Sequence, residues 1–293
     1  MTSSAISPRL RPRVSPLRYP GGKGALYMRL RQLIRDSDLA GCTYVEPYAG
    51  GAGAGLGLLA TGQVTKVVIN DLDPAIHAFW RTVVDEPSYL MDRIKKTPVD
   101  VTEWRRQKDV YGSGAEAEMR ELGFATFFLN RTNRSGVLNG GPIGGHDQSG
   151  TYKIDARFNR ADLIERVRLI SLYASDITVL SQDGVKVIES YGGQHATFIY
   201  ADPPYFEKAG SLYMNSFQLS DHEGLAHALN NLAAASWLLT YDNVPTVHEL
   251  YKDRRRRTFE LAYSAHRVMT ATEVAVLSDS LADIETGWAV RPA

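Results

Sequence analysis

Two short apolar runs on either side of a glycine-rich segment constrain the fold of this chain most strongly. The runs are Thr43–Pro47 and Lys66–Asp71, and the small residues from Ala49 to Gly57 lie between them and lead into a leucine-rich stretch. Strand-like runs that bracket a glycine turn and a helix predict a βαβ unit with parallel strands. Strand signals return at 177–180, 196–201 and 237–241. The sequence therefore predicts an α/β fold built on a parallel sheet.

The segment between the second and third predicted strands has a different character. Helical spacing recurs in Tyr89–Lys96 and Ala115–Leu129, and a Gly- and Asn-rich loop follows over residues 130–150. We expect an inserted, mostly helical domain at 87–172 within a discontinuous main domain of residues 16–86 and 173–293. Residues 1–15 contain Ser, Pro and Arg but no apolar segment, so we expect a flexible tail and not a secretory signal.

Composition excludes several classes of protein. No apolar run reaches the roughly 20 residues that a membrane span needs. The single cysteine, Cys42, excludes an internal disulfide and a cysteine-based zinc site, and it suits a reducing cytoplasm. Lys+Arg and Asp+Glu both number 33. A neutral chain has no overall attraction to nucleic acid, so any such binding must use local basic patches.

The motif with the most specific chemistry is Asp202-Pro203-Pro204-Tyr205, which follows the apolar run 196–201. Each proline fixes its own φ and keeps the preceding residue extended, so this Asp-Pro-Pro-Tyr turn is stiff. It places a carboxylate, a backbone carbonyl and an aromatic ring at the carboxyl end of a strand, where open α/β sheets bind ligands. Such oxygens can accept the hydrogens of a base amino group and bind it more strongly as positive charge develops on nitrogen. The pattern favours methylation of an exocyclic amine, with the base held by the ring.

The glycine turn (residues 49–55) indicates a nucleotide-like ligand. Its glycines allow close approach to the backbone, and Asp71 follows Gly50 by about 20 residues, the spacing at which an acid reaches ribose hydroxyls. A nicotinamide or flavin enzyme would use similar geometry. However, Glu46 at the strand end would face a pyrophosphate, and the turn does not match G-x-G-x-x-G in register. A carboxylate there suits a cofactor with an amino group and a sulfonium charge.

Tyr19-Pro20-Gly21-Gly22-Lys23 precedes a predicted helix over Ala25–Ile34. It lacks the G-x-x-x-x-G-K-[ST] spacing of a phosphate-binding loop. Two interpretations stay open: an ordinary turn, or a segment in which Lys23 pairs with a cofactor carboxylate while Tyr19 lines the pocket.

These segments, in this order, resemble the Dam-like N6-adenine DNA methyltransferases, and the likeness covers most of residues 16–280. The matching segments are Leu17–Lys23, Val45–Gly51, Asn70-Asp71, Phe128–Arg131, Asp202–Tyr205 and Asn215–Phe217. The resemblance implies a Rossmann-like sheet with an inserted target-recognition domain, and S-adenosylmethionine as methyl donor. It also implies base flipping in double-stranded DNA and direct in-line transfer to adenine, without a metal or a covalent intermediate.

The resemblance also implies site residues. Those for the cofactor are Tyr19, Lys23, Glu46, Pro47, Ala49, Gly50, Gly51, Asp71, Leu72, Asp183 and Asp202. Asp71 would hold the ribose and Asp183 would meet the adenine ring of the cofactor, although Asp183 also fits an ordinary surface turn. The catalytic residues would be Asp202, Pro203, Pro204 and Tyr205, which would hold the target base.

The loop of residues 130–150 departs from the family after Asn139, so the recognition sequence is not predicted. Because Arg favours guanine and Asn adenine in a major groove, Arg131, Asn133, Arg134 and Asn139 are candidate DNA contacts. A folded glycine-rich loop with solvated arginines is the alternative. The run Arg254–Arg257 could contact phosphates or form solvated surface, and Ser220–Glu223 predicts a capping box before a helix at 224–235.

Other chemistries compete with this interpretation. Carbon-5 methylation of cytosine needs a nucleophilic cysteine, and Cys42 lies away from the predicted site. N4-cytosine or RNA methylation and a non-catalytic nucleic-acid-binding protein of the same fold stay as alternatives. We expect a cytoplasmic, DNA-associated protein of a bacterium or phage. It is expected to be a monomer or weak dimer without membrane contact. Three biological settings stay open: a restriction–modification system, a phage and a housekeeping role.

Overall fold

The computed structural model describes residues 14–18, 26–206, 217–264 and 268–281. The helices are α1 (Tyr27–Asp36), α2 (Gly53–Ala60), α3 (Pro74–Asp85), α4 (Pro87–Lys96), α5 (Val101–Gly112), α6 (Met119–Thr132), α7 (Arg160–Ser171), α8 (Gly184–Gly192), α9 (Leu219–Asn230) and α10 (Pro245–Leu250). The strands are β1 (Thr43–Glu46), β2 (Lys66–Asn70), β3 (Ile177–Leu180), β4 (Thr197–Ala201), β5 (Ser236–Asp242), β6 (Arg255–Ser264) and β7 (Val268–Leu277). No helix within the described ranges is long and apolar enough to cross a membrane.

The strands form one sheet in the order β3-β2-β1-β4-β5-β7-β6. Strands β1 to β5 are parallel, and β7 runs antiparallel to both β5 and β6. The strand order reverses between β1 and β4, which is the switch point where doubly wound sheets open a crevice at the carboxyl edge. This arrangement confirms the predicted Rossmann-like α/β fold.

The central strands are covered on both faces, as their continuous apolar sequence requires. Every residue of β4 and β5 is buried. Side chains alternate along a strand, so Phe198 and Tyr200 pack into one apolar cluster while Ile199 and Ala201 pack into the other. The two clusters lie on opposite faces of the sheet and fix the register that brings the strand ends together.

The inserted segment is helical, and its core is continuous with the main sheet. Phe127 of α6 stacks on Phe79 of α3 with ring centroids 6.2 Å apart, and both belong to the same apolar cluster as Tyr44 of β1. Helices α3 and α6 approach closely at Gly123, where an added Cβ would lie 2.6 Å from the Ala78 carbonyl oxygen. The division of the chain into two domains therefore stays a prediction.

Three local predictions are corrected. Val14 and Leu17 are buried, so the flexible tail predicted over residues 1–15 does not include Val14, and residues 1–13 lie outside the described ranges. Helix α9 begins at Leu219 because Asp221 accepts the Gln218 backbone N–H at 2.7 Å, so the box predicted at Ser220–Glu223 is wrong.

Helix α6 continues to Thr132, which makes the start of the loop predicted at residues 130–150 helical.

The arginine run Arg254–Arg257 is partly held by contacts within the chain. Arg254 contacts Asp279 at 2.5 Å, and Arg256 donates to the His248 carbonyl. These two arginines therefore hold the start of β6 through contacts within the chain, and contact of the run Arg254–Arg257 with phosphates stays a prediction.

Candidate active site

The predicted site residues gather at the carboxyl edge of the sheet. Glu46 is the last residue of β1, and Asp202 directly follows β4, the neighbouring strand across the switch point. Asp71 follows β2, and Asp183 follows β3 by two residues of loop. Parallel strands end at one edge, so four carboxyl groups lie around one crevice although they are scattered along the sequence.

Asn70, the last residue of β2, fixes the loops around this edge. Its Nδ2 donates to the carbonyl oxygens of Pro47 at 2.8 Å and Gln182 at 2.9 Å, and its Oδ1 accepts the Gln182 N–H at 2.9 Å. Its own carbonyl accepts the Ala49 N–H at 2.9 Å. A fully buried amide thus ties the segments after β1 and β3 together. Sequence reasoning gave Asn70 no role.

Asp71 and Trp80 hold the glycine turn in its conformation. Asp71 Oδ2 accepts the Gly50 N–H at 2.9 Å, and the indole of Trp80 donates to the Gly50 carbonyl at 2.8 Å. Gly50 has φ of 47°, and Ala52 has φ of 45°, both in the left-handed region. Burial raises the pKa of Asp71 to about 6, although the N–H groups of Asp73 and Gly50 stabilise its charged form. Asp71 therefore has a structural role in the glycine turn, and its contact with a cofactor stays a prediction.

Glu46 is buried at the end of β1, with 4% of its surface exposed. Its Oε1 accepts the N–H of Gly55, in the first turn of α2, at 3.1 Å. Burial raises the pKa of Glu46 to about 7, and the negative charge of Asp202 raises it further, while the Gly55 N–H opposes this change. A carboxyl that ionises reluctantly is a good partner for a cationic ligand, whose charge would favour ionisation.

Asp183 and Leu72 lie at the rim of the crevice. Asp183 is exposed and caps α8, with Oδ1 accepting the N–H groups of Val185 at 2.9 Å and Lys186 at 3.3 Å. Leu72 is 52% exposed. Tyr48 packs on Gly184, where an added Cβ would lie 2.4 Å from the phenol ring. Contact of Leu72 and Asp183 with a cofactor stays a prediction.

The Asp-Pro-Pro-Tyr turn is held by side chains from distant strands. Asp202 is partly exposed, and its Oδ1 accepts hydroxyl hydrogen bonds from Thr240 of β5 at 2.8 Å and from Tyr205 at 3.1 Å. The Tyr205 hydroxyl also lies 2.9 Å from Oε1 of Glu273 in β7. Only 8% of the surface of Tyr205 is exposed, and its hydroxyl is engaged in these hydrogen bonds. Stacking of a base on its ring stays a proposal. Sequence reasoning missed Thr240 and Glu273, which no local motif marks.

Two of the four predicted DNA contacts are corrected by their burial. Asn133 is fully buried, where its Oδ1 accepts the Trp104 indole N–H at 2.6 Å and its Nδ2 donates to Val137 O at 2.8 Å. Arg131 is 8% exposed, and its Nε donates to the Arg157 carbonyl at 2.9 Å. Burial lowers the pKa of Arg131 to about 10. These side chains hold the glycine-rich loop together. Arg134 and Asn139 are exposed, so they stay candidate contacts.

Asn130 links the same loop to the N-terminal segment. Its Oδ1 accepts the Arg18 N–H at 2.6 Å, and its Nδ2 donates to Arg18 O at 2.8 Å and Gly136 O at 3.0 Å. Gly136 has φ of 78°, and an added Cβ would lie 2.5 Å from Arg18 O, so glycine is needed there. Arg18 directly precedes Tyr19, and both Tyr19 and Lys23 lie outside the described residues.

The arrangement has a clear chemical character. It combines buried or half-buried carboxyls with backbone N–H groups and a glycine turn, which suits a ligand bearing hydroxyls and positive charge. The described residues contain no group of three or more His, Cys, Asp or Glu side chains placed to hold a metal ion.

Comparison with known proteins adds a family. The family described as D12 class N6 adenine-specific DNA methyltransferase matches residues 19–270. No curated protein sequence is significantly similar to the chain. Among solved structures, PH1948 from Pyrococcus horikoshii, described as a candidate RNA methyltransferase, has a TM-score of 0.42 and 10% identity, covering 94% of this chain and 90% of that one. The rRNA methyltransferase aviRa from Streptomyces viridochromogenes has a TM-score of 0.42 and 14% identity, covering 98% of this chain and 91% of that one.

Proposed function

Because the chain belongs to the D12 class N6 adenine-specific DNA methyltransferase family, we propose that it methylates the N6 amino group of adenine within a specific DNA sequence. Family membership confirms the resemblance noted in the sequence. It makes the protein a methyltransferase whose methyl donor is S-adenosylmethionine. The DNA substrate, the target base and the mechanism below are the parts that we propose.

One observation supports the proposal most strongly: Glu46 ends β1 and Asp202 directly follows β4, the two strands that flank the switch point, and the charge of Asp202 raises the pKa of Glu46. This crevice is where a doubly wound sheet binds its ligand. A donor bound along β1 and β2 and a base bound at the end of β4 would therefore meet at Asp202. No other described arrangement in the chain brings a glycine turn and the Asp-Pro-Pro-Tyr turn to one place.

The described residues fit the methyl donor. S-adenosylmethionine supplies a methyl carbon made electrophilic by its sulfonium charge. In the proposal, Asp71 accepts hydrogen bonds from its ribose hydroxyls, and Leu72 and Asp183 lie against its adenine ring. The backbone from Pro47 to Gly51 lines the pocket, and Glu46 and Asp202 offset the positive charge. Tyr19 and Lys23, which lie outside the described residues, are proposed to complete the pocket.

The acceptor amine is activated by positioning and electrostatics. Asp202 and the Pro203 carbonyl accept the two amino hydrogens, which favours the pyramidal nitrogen with an available lone pair. That lone pair forms the N–C bond in line with the breaking S–C bond, whose electron pair stays on sulfur. The methylated nitrogen then gives one proton to the Asp202 carboxylate, which passes it to solvent. Acceptor oxygens that gain strength as charge develops lower the barrier.

The base must leave the duplex to reach this crevice, because its amino group is paired and stacked within DNA. In the proposal, Tyr205 or the edge of its ring contacts the flipped adenine. Exposed Arg134 and Asn139 on the glycine-rich loop contact the DNA around it. The inserted helices would thus carry the target-recognition surface.

Sequencing with modified-base detection tests the proposal. DNA from a host that expresses the wild-type protein should carry N6-methyladenine in one sequence context. A host expressing Asp202→Ala should lack it, while Asp253→Ala, which changes an exposed carboxylate elsewhere, should methylate like the wild type. Methylation of cytosine N4, or of RNA alone, would contradict the proposed substrate. Wild-type methylation by Asp202→Ala would contradict the proposed mechanism.

A further inference from the structure

We propose that Thr240 is a positioning residue that orients the Asp202 carboxylate for methyl transfer, and that the buried hydroxyl of Tyr200 supports it through a relay of two hydrogen bonds. The inference deepens the proposed function and rests on it for its kinetic consequences. Its structural part concerns the orientation of one carboxylate, and that part can be tested without any substrate.

The register of the sheet brings these three side chains together. Ala201 of β4 pairs with Leu239 of β5, so the next residues along the two parallel strands, Asp202 and Thr240, lie beside each other. Side chains alternate along a strand, so Tyr200 and Asp202 lie on the same face. Thr240 Oγ1 is 2.8 Å from Asp202 Oδ1, and the Tyr200 hydroxyl is 2.9 Å from Thr240 Oγ1. The three groups form a continuous relay that ends on the carboxylate at the crevice.

The number of hydrogens sets the direction of this relay. The Thr240 hydroxyl has one hydrogen, which it donates to Asp202, because the carboxylate of the proposed function only accepts. The contact between the two hydroxyls is then a hydrogen bond only if Tyr200 donates to Thr240. Burial and the negative charge of Asp202 raise the pKa of Tyr200, so its phenol keeps that hydrogen. A donor that itself accepts a hydrogen bond is a stronger donor, so Tyr200 strengthens the bond from Thr240 to Asp202.

The surroundings of Thr240 are otherwise apolar. Thr240 is fully buried, and only 2% of the surface of Tyr200 is exposed. The partner of Thr240 in β7 is Ala275, and Leu238 and Ala275 belong to the apolar cluster that contains Tyr200. Buried polar groups need hydrogen-bond partners. The two hydroxyls find partners in each other and in Asp202, so the contacts of this part of the core lead to the carboxylate.

The orientation of Asp202 matters because this side chain is partly exposed at the edge of the crevice. The Tyr205 hydroxyl lies 3.1 Å from the same Oδ1 atom, so Thr240 is one of several contacts of the carboxylate. A hydrogen bond from the buried strand β5 restricts rotation of the side chain and so fixes where its oxygens meet the amine. A valine at position 240 would place a methyl group against Oδ1. The carboxylate would then turn toward water to replace the lost donor.

Crystal structures of the wild type, Thr240→Val and Thr240→Ser without substrate test the structural part. The serine variant keeps the hydroxyl and should show Asp202 in the wild-type orientation. The valine variant has nearly the same shape as the wild type but no donor, and it should show the carboxylate turned away from β5 or in two orientations. A wild-type orientation of Asp202 in Thr240→Val would overturn the positioning role.

Single-turnover methyl transfer at saturating substrate tests the kinetic part. Thr240→Val should lower the rate by about 10- to 100-fold, the effect of one hydrogen bond to a charged group. Thr240→Ser should have a rate within a few fold of the wild type. Both variants should keep their affinity for S-adenosylhomocysteine, the neutral thioether left after transfer, because its binding does not depend on the charge of Asp202. Equal loss of rate in the serine and valine variants would overturn the role of the hydroxyl.

A double-mutant cycle tests the relay from Tyr200. Tyr200→Phe should lower the rate by about 2- to 10-fold, because Thr240 loses its own donor. The hydrogen bond of Tyr200 reaches Asp202 through Thr240. The double variant should therefore lose no more than Thr240→Val alone. Losses that multiply in the double variant would overturn the relay.

A second buried pair of hydroxyls offers a matched control. The Tyr27 hydroxyl lies 2.9 Å from Thr61 Oγ1, and both residues are buried. Thr61 follows the end of α2, at the opposite end of that helix from the glycine turn. Tyr27→Phe should destabilise the protein about as much as Tyr200→Phe, yet it should transfer methyl groups at the wild-type rate. Equal loss of rate in these two variants would overturn the relay, because loss of stability would then explain both.

Unfolding of Thr240→Val would leave the comparison of Tyr200→Phe with Tyr27→Phe to decide. A wild-type protein that methylates no DNA would refute the proposed function. The crystal structures would still show whether Thr240 orients Asp202, so the two failures are distinguishable.

Discussion

Replacing Glu46 by glutamine should change how the stability of the protein depends on pH. The side chain is 4% exposed at the end of β1, and its Oε1 accepts the Gly55 N–H at 3.1 Å. A glutamine has the same size and can keep that hydrogen bond through its amide oxygen. The substitution therefore removes a titrating group with little change in packing.

The size of the effect follows from the pKa of Glu46, which burial raises from 4.5 to about 7. Between these values the folded protein holds a proton that the unfolded chain has released, so the free energy of unfolding falls as pH rises. This contribution is fully present below pH 4.5 and is lost as pH rises through about 7. The interval is 2.5 pH units, and at about 1.36 kcal/mol per unit the loss is about 3 kcal/mol.

Urea unfolding of the wild type and Glu46→Gln at a series of pH values measures this loss. The wild type should lose about 3 kcal/mol relative to Glu46→Gln between pH 4.5 and pH 8. Asp71, whose pKa is also raised, contributes in the same direction in both proteins and cancels in the difference. Glu165→Gln is the control, because Arg168 lowers the pKa of this exposed carboxyl and the small, screened effect has the opposite sign. Parallel pH curves for the wild type and Glu46→Gln would refute the reasoning.

Three further substitutions test the packing and the recognition surface. Gly123→Ala would place a Cβ 2.2 Å from Thr82 Oγ1 and 2.6 Å from Ala78 O, so the free energy of unfolding in urea should fall by about 1–3 kcal/mol or more. Gly112→Ala is the control, because an added Cβ there would have no atom within 4 Å, and its free energy of unfolding should not fall. Asn130→Ala removes three hydrogen bonds to Arg18 and Gly136, so the free energy of unfolding should fall by about 2–4 kcal/mol. Because Arg18 directly precedes the Tyr19–Lys23 segment, calorimetry should also show weaker S-adenosylmethionine binding. Binding with wild-type affinity would contradict the proposal that Asn130 supports this segment. Arg134→Ala should reduce the slope of log DNA affinity against log salt concentration by about one, without loss of stability. Asn133→Ala should mainly lower the free energy of unfolding. The opposite pattern would contradict the assignment of Arg134 as a DNA contact and Asn133 as a structural residue.

The sequence predicts the fold well where the signal is local. The buried strands β1, β2 and β4 are short apolar runs, and glycine or proline follows β1 and β4 and fixes the turns there. Strand ends carrying Glu46, Asp71 and Asp202 could be placed at one edge because parallel connections leave only one edge for them. The predicted acids of the site therefore follow from chain order and strand direction.

The sequence does not predict contacts that depend on distant packing. Thr240 and Glu273 reach Asp202 and Tyr205 only because β5 and β7 pair beside β4. Neither residue lies in a pattern that marks it, and an isolated glutamate in a strand is more often exposed.

Burial also explains the error at Arg131 and Asn133. Both are polar residues in a segment that looks like a solvated loop, and polar residues are usually exposed. Helix α6 continues through Thr132 and turns both side chains inward, where Trp104 and the Arg157 carbonyl bind them. The exposed positions, Arg134 and Asn139, are those that follow the end of the helix.

The single-turnover rate of methyl transfer by Asp202→Asn, at saturating S-adenosylmethionine and DNA, tests the central claim most directly. An asparagine keeps one oxygen acceptor but has no negative charge to gain strength as the amine becomes positive. We expect the rate to fall by at least about 100-fold, the loss typical of a removed electrostatic contact to a transition state. A rate within a few fold of the wild type would contradict the claim that the carboxylate at the end of β4 activates the amine.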